Sequence, residues 1–182
     1  MALHIVGISG SLRAGSFNSS LIRAAAELLP EETSFEIATI GDLPLFNQDL
    51  EADTPSSVLR LREQIANADA LLIAVPEYNY SFSGALKNAI DWASRPPGKS
   101  PLNGKPVALA GAGGRFGTVR AQLQFRQVAA HLNMHVLNRP ELMIPMAWEK
   151  FDKEGNLTDE ATRKQLADVL TALKEWTIRL CS

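Results

Sequence analysis

The chain has 182 residues, 46% hydrophobic and 21% charged, enough for one globular domain with a full core. A formal net charge of −2 and a pI of about 5.9 leave no large basic field for nucleic acid or an anionic membrane surface. The single cysteine, Cys181, forms no internal disulfide, which fits a cytoplasmic location, and no apolar run approaches the ~20 residues of a membrane helix.

Residues 3–8 are apolar and β-prone and predict the first strand, entered directly with no signal peptide before it. Residues 19–29 carry Leu21, Ile22, Ala25, Leu28 and Leu29 at helical spacing. Residues 34–39 alternate through Phe35 and Ile37 as a second strand, and Pro55 precedes a helix over 56–67 with Val58, Leu61 and Ile65 in step. The continuous apolar run 70–75 marks a strand buried on both faces. A third helix is predicted over 83–94, a fourth strand over 106–110, a fourth helix over 118–132 and a short fifth strand over 135–137. A last helix over 159–180 has Leu166, Val169, Leu170, Leu173, Trp176 and Leu180 in register. The connections 40–55 and 138–158 are long enough to be functional flaps or interface arms.

Strands alternating with helices imply a parallel sheet with right-handed crossovers. Five such units predict an α/β, flavodoxin-like doubly wound fold in a single domain over 1–182. Its five-stranded parallel sheet has the order 2-1-3-4-5 with helices on both faces, and it binds ligands where the loops after strands one and three diverge.

The first of these loops reads Gly10-Ser11-Leu12-Arg13-Ala14-Gly15-Ser16-Phe17-Asn18. A helix N-terminus offers unpaired N–H groups and the positive end of its dipole. Ser11, Arg13, Ser16 and Asn18 add side-chain donors, a composition suited to a phosphate and equally familiar in a capped turn. The loop after strand three, Pro76-Glu77-Tyr78-Asn79-Tyr80-Ser81-Phe82, supplies aromatic walls for a flat heterocycle and an amide for a pyrimidine-like edge. The loop after strand four, Gly111-Ala112-Gly113-Gly114-Arg115-Phe116-Gly117, lets backbone approach a ligand closely. Together the three loops predict a site for flavin mononucleotide, with Glu77 expected in a backbone or oligomer contact rather than as an acid.

Ser9-Gly10-Ser11-Leu12-Arg13 with Ser16-Phe17-Asn18, Pro76-Glu77-Tyr78-Asn79, and Gly84 through Trp92 resemble the NADPH-dependent FMN reductase family, nearest its chromate/quinone reductase branch. The likeness extends through Arg120-Ala121-Gln122 and Leu123-Gln124-Phe125-Arg126-Gln127. The resemblance implies that Ser11, Arg13, Ser16, Phe17 and Asn18 hold the FMN phosphate. It implies that Pro76, Glu77, Tyr78 and Asn79 line the isoalloxazine and ribityl region, and that Ala112, Gly113, Gly114 and Arg115 meet the flavin edge. The family pattern has serine in this third loop; Ala112 and Gly113 stand here instead and leave backbone donors only. Arg115 is an extra cation, open to a nucleotide phosphate, an anionic acceptor or solvent alone.

The implied activity is electron transfer by a ping-pong hydride mechanism, from NADPH or NADH through flavin N5 to a small-molecule acceptor. Quinones, chromate, azo compounds and free flavin are the implied acceptors, and no protein residue is assigned as catalytic. The resemblance also implies a homodimer or homotetramer, with the helix carrying Lys87, Asn88 and Asp91 at the interface and Trp148 able to cover a neighbour's flavin. Two other functions remain open: an electron carrier, disfavoured by a net charge of only −2, and an FMN-binding redox sensor without turnover. A dinucleotide-binding dehydrogenase is disfavoured because no GxGxxG turn follows the first strand. His4, His131 and His135 lack metal-ligand spacing.

Overall fold

The structure, a computed structural model, describes residues 2–181. β1 (Leu3–Ser9) leads through α1 (Phe17–Glu27) to β2 (Thr33–Ala38), then α2 (Ser56–Asn67) and β3 (Ala70–Ala74). A hairpin of β4 (Glu77–Tyr78) and β5 (Ser81–Phe82) precedes α3 (Gly84–Ala93), β6 (Pro106–Ala112) and α4 (Val119–His131). β7 (His135–Val136), β8 (Leu142–Ile144) and α5 (Glu160–Cys181) complete the chain.

The parallel sheet runs β2-β1-β3-β6-β7, the order predicted from the alternation of strands and helices. Its fifth position is divided between two short strands. β7 pairs with the start of β6 through Pro106 and Val107, and β8 pairs with its end through Ala110, Gly111 and Ala112. Pro140 lies between them and has no N–H to donate to a ladder, so the strand breaks there. The connection 138–158 is therefore partly sheet rather than a free flap. Among the described residues no helix is long and apolar enough to cross a membrane.

Every residue of β3 is buried, and its side chains alternate between two cores. Leu72 and Ala74 join Ile5 of β1, Leu21 and Ile22 of α1, and Leu166, Leu170 and Leu173 of α5. Leu71 and Ile73 join Val6 and Ile8 of β1, Leu61 of α2, Leu86 and Ile90 of α3, and Phe125 of α4. Helices α1 and α5 thus cover one face and α2, α3 and α4 the other. This leaves the carboxyl ends of the strands free to carry loops.

Segment 40–55 is tied down by α3. Asn88 Oδ1 accepts the Phe46 N–H at 2.7 Å, while Asn88 Nδ2 and Trp92 Nε1 donate to the Pro44 carbonyl at 2.9 and 2.8 Å. The Phe46 ring stands edge-on to Trp92 with centroids 4.9 Å apart. Lys87 and Asp91 pair at 2.8 Å across one turn, as their spacing predicts.

Asp159 closes the N-terminus of α5 by accepting the Thr162 N–H at 2.9 Å, the Thr162 hydroxyl at 2.6 Å and the Lys150 ammonium at 2.9 Å. The Thr162 and Lys150 donors hold its carboxyl down to about 2. A depressed folded-state value stabilises above the ordinary value of 3.8 and is lost as pH falls toward 2. Asp159→Asn removes that segment of the acid-denaturation curve. A variant whose stability falls between pH 4 and 2 as steeply as the wild type's would contradict this role for the carboxylate.

Candidate functional site

The loops after β1, β3 and β6 meet at the carboxyl edge of the sheet around a cleft of about 600 Å3. Ser11, Arg13, Ser16, Phe17 and Asn18 line it from the first loop, and Pro76, Glu77, Tyr78 and Asn79 from the second. Ala112, Gly113, Gly114 and Arg115 line it from the third. The structure thus gathers every residue expected at the site. Tyr80, Phe116 and Gly117 of the same loops also line the cleft, as does Trp148, which was expected over a neighbour's flavin; Arg120 lines it without having been assigned to the site.

The first loop forms an open helix terminus. Ser16 is the N-cap of α1, with its hydroxyl accepting the Ser19 N–H at 3.4 Å and its carbonyl the Ser20 N–H at 2.9 Å. The Ser16 N–H is itself taken by the Arg13 carbonyl at 3.1 Å. The N–H groups of Phe17 and Asn18, the first of the helix, have no acceptor among the described residues. Two orphan donors at the positive end of a helix suit an anion. The Arg13 guanidinium lies 5.6 Å from the centre of the Phe17 ring, beside that terminus.

The Asn18 side chain is engaged elsewhere. Its Nδ2 donates to the Ala112 carbonyl at 3.0 Å and its Oδ1 accepts the Ala112 N–H at 3.0 Å, both buried. This bidentate clasp joins the first loop to the end of β6, so Asn18 offers an incoming anion chiefly its backbone N–H. Asn18→Ala leaves both Ala112 groups unsatisfied and costs about 2 kcal/mol of stability by denaturant titration. A loss under about 0.5 kcal/mol would mean that the clasp is dispensable.

Ser83 links the first and second loops. Its hydroxyl donates to the Gly10 carbonyl at 2.5 Å and accepts the Leu86 N–H at 3.1 Å, capping α3. A Cβ on Gly10 would lie 2.6 Å from Pro76 Cδ, so only glycine lets the two loops touch here. Beyond Pro76, β4 and β5 turn through Asn79 (φ 49°) and Tyr80 (φ 68°). Two positive φ values in a two-residue turn match the right-handed twist of the hairpin.

The hairpin is fastened to α4. Glu77 Oε2 accepts the N–H groups of Arg120 and Ala121 at 3.1 and 3.3 Å, and Oε1 accepts Arg120 Nη1 at 2.6 Å. Thr118 provides no side-chain cap for α4, so Glu77 does so from the neighbouring loop. Gln124 Nε2 donates to the Tyr80 carbonyl at 3.0 Å, and the Ser81 hydroxyl donates to Gln124 Oε1 at 2.5 Å. The Arg120 guanidinium lies 4.0 Å from the centre of the Tyr80 ring and 4.9 Å from that of Phe116, which joins the second loop to the third.

The third loop is a tight turn in which the Gly117 N–H donates to the Gly114 carbonyl at 3.0 Å. Its base is clamped by the end of β8 and the residues that follow it. Gly113 N–H donates to the Ile144 carbonyl, and the Met146 and Ala147 N–H groups donate to the carbonyls of Gly114 and Gly113, all within 3.0 Å. The Gly113 N–H is therefore unavailable to a ligand. The N–H groups of Arg115 and Phe116, at the turn's centre, have no acceptor among the described residues.

One end of the cleft thus offers orphan N–H groups and a guanidinium to an anion. Elsewhere its lining includes aromatic rings. The volume falls within the ~300–1,000 Å3 typical of cofactor sites. The donor set and the space fit FMN.

Fold and cleft define a doubly wound α/β protein whose ligand loops crown the sheet. The family model for NADPH-dependent FMN reductases matches residues 3–149, and the chain belongs to this family. It is 52% identical over 180 residues to an NAD(P)H-dependent FMN reductase of Pseudomonas aeruginosa, covering 98% of this chain and 97% of that one. It is 45% identical over 177 residues to a 2-hydroxy-1,4-benzoquinone reductase of a Burkholderia species, covering 97% of each. Among solved structures it is similar to FerB, a flavoenzyme NAD(P)H:acceptor oxidoreductase of Paracoccus denitrificans. The TM-score is 0.89 at 38% identity, over 97% of this chain and 98% of that one. The chain is an oxidoreductase that uses FMN and NAD(P)H.

Proposed function

We propose that the cleft holds FMN with its phosphate on the N-terminus of α1 and passes electrons from NAD(P)H to quinones and other small acceptors. The observation that carries this reading is the pair of orphan N–H groups on Phe17 and Asn18, beside Arg13 and the Ser16 hydroxyl. Ser11 adds a hydroxyl at the same end of the cleft. Pro76, Glu77, Tyr78 and Asn79 form one wall, and Ala112, Gly113 and Gly114 the facing edge. When bound, FMN supplies a two-electron centre that accepts hydride at N5.

The protein's own part is to bind, orient and shield. Glu77, the one carboxylate among the described residues lining the cleft, is engaged by the α4 terminus and Arg120, so it is not assigned as a proton donor. The N–H groups of Arg115 and Phe116 are the backbone donors the third loop can aim at a developing negative charge. The relatives named as quinone and benzoquinone reductases support quinones as acceptors. Chromate, azo compounds and free flavin belong to the same proposal, as do ping-pong turnover, a dimer or tetramer, and a cytoplasmic site where NAD(P)H is supplied. Trp148, 54% exposed at the cleft, is suited to meet a second subunit.

The test is the visible spectrum of the purified protein, followed by NADPH without air. Flavin bands that bleach support the reductase. Bands that persist assign a carrier or sensor. Failure to take up added FMN sinks the phosphate site.

A further inference from the structure

Among the described residues three arginines and one carboxylate line the cleft, and the arginines are held differently. Arg120 is paired with Glu77 at 2.6 Å and stacked against Tyr80 and Phe116. Arg13 stands beside the open terminus of α1, where the proposed phosphate lies. Arg115 occupies a central position of the Gly114–Gly117 turn and is exposed. The Phe116 ring lies 5.7 Å from its guanidinium carbon, and among the described residues no carboxylate pairs with it. The turn beneath it is clamped at Gly113 and Gly114 by Ile144, Met146 and Ala147. A guanidinium with no counter-charge is therefore anchored on a well-supported turn at the cleft.

We infer that Arg115 is the recognition point for anionic oxygens on the second reactant: the phosphates of the nicotinamide dinucleotide or the acid group of an acceptor. The inference rests on the proposed flavin site, which leaves Arg115 outside the phosphate cradle. A guanidinium binds phosphate, sulfonate and carboxylate oxygens through paired N–H donors. An uncompensated charge at a cleft mouth also raises the encounter rate of anions, with a strong dependence on ionic strength. NADPH carries one phosphate more than NADH, so a contact to that phosphate distinguishes the two, whereas a contact to the diphosphate they share does not.

The test compares wild-type holoenzyme with Arg115→Gln and Arg115→Lys at low salt. Flavin occupancy is read from visible absorbance. Binding of NADP+ and NAD+ to the oxidised holoenzyme is measured by calorimetry. Turnover is measured with neutral benzoquinone and with anthraquinone-2-sulfonate. Dinucleotide recognition predicts that Arg115→Gln weakens NADP+ about tenfold, with NAD+ weakened equally if the contact is to the shared diphosphate and about twofold if it is to the additional phosphate. Acceptor recognition predicts a loss of about tenfold in kcat/KM for the sulfonate alone. In either case Arg115→Lys recovers part of the loss, and about 0.5 M salt erases most of the difference between wild type and Arg115→Gln. Equal effects on charged and neutral ligands, or no effect at all, overturn the inference. Loss of FMN from Arg115→Gln also overturns it, because the arginine would then serve the flavin. If the wild type itself takes up no FMN, the flavin reading has failed instead, and this inference with it.

Discussion

Arg13→Gln raises the dissociation constant for FMN about 10–100-fold and leaves that for riboflavin within about twofold. The two ligands differ by the phosphate alone, so the pair separates a phosphate contact from a general loss of the pocket. Phe17 and Asn18 N–H groups and the Ser16 hydroxyl remain in the variant, so binding is weakened rather than abolished. The magnitude follows from a charge-assisted hydrogen bond, worth about 1.5–3 kcal/mol when its partner stays behind. Salt tests the same contact: raising ionic strength weakens FMN more in the wild type than in the variant. Equal loss of both ligands would mean that Arg13 supports the loop, through its position over Phe17, rather than the phosphate.

Period and punctuation made most of the fold legible. The continuous apolar stretch at residues 70–75 announced a central parallel strand, and the spacing of Val58, Leu61 and Ile65 announced α2 to the residue. The site loops were legible for the same reason, because a doubly wound sheet places the loops after its first, third and fourth strands together. β8 was not legible: three residues beyond Pro140 have no period of their own and become a strand only by lying against Ala110, Gly111 and Ala112. The glycines at the end of β6 and in the third loop were legible as residues but not as reasons. A Cβ on Gly111 would fall 1.8 Å from Thr118 Oγ1, and one on Gly113 would fall 2.5 Å from the Gly117 carbonyl. Close packing requires these two glycines before any ligand arrives. Asn18 and Glu77 were likewise recognised as site residues. Their side-chain partners, Ala112 and the terminus of α4, lie 94 and 43 residues away, beyond any local pattern.

Glu77→Ala lowers the unfolding free energy by about 2–3 kcal/mol, because one carboxylate both caps α4 and pairs with Arg120. Glu77→Gln keeps a carbonyl for the backbone donors and loses about half as much. The local consequence is larger than the global one. Without Glu77 the hairpin 77–82 keeps its contacts to Gln124, the ring of Tyr80 against Arg120 and the Phe82 ring edge-on to Phe125, but loses its one tie to the terminus of α4 among the described residues. Tyr80 holds a φ of 68°, a conformation that costs a non-glycine residue about 1 kcal/mol or more and persists only while its surroundings enforce it. Amide exchange across 77–82 therefore accelerates in Glu77→Ala more than in the strands of the sheet. Arg120→Ala has the same signature, and Arg120→Lys restores charge but not the planar stack between Tyr80 and Phe116. A double-mutant cycle between Glu77 and Arg120 returns a coupling of about 1 kcal/mol or more. Losses that add within about 0.3 kcal/mol would mean that the two residues act independently. The second and third walls of the cleft would then be set by the packing of the hairpin alone.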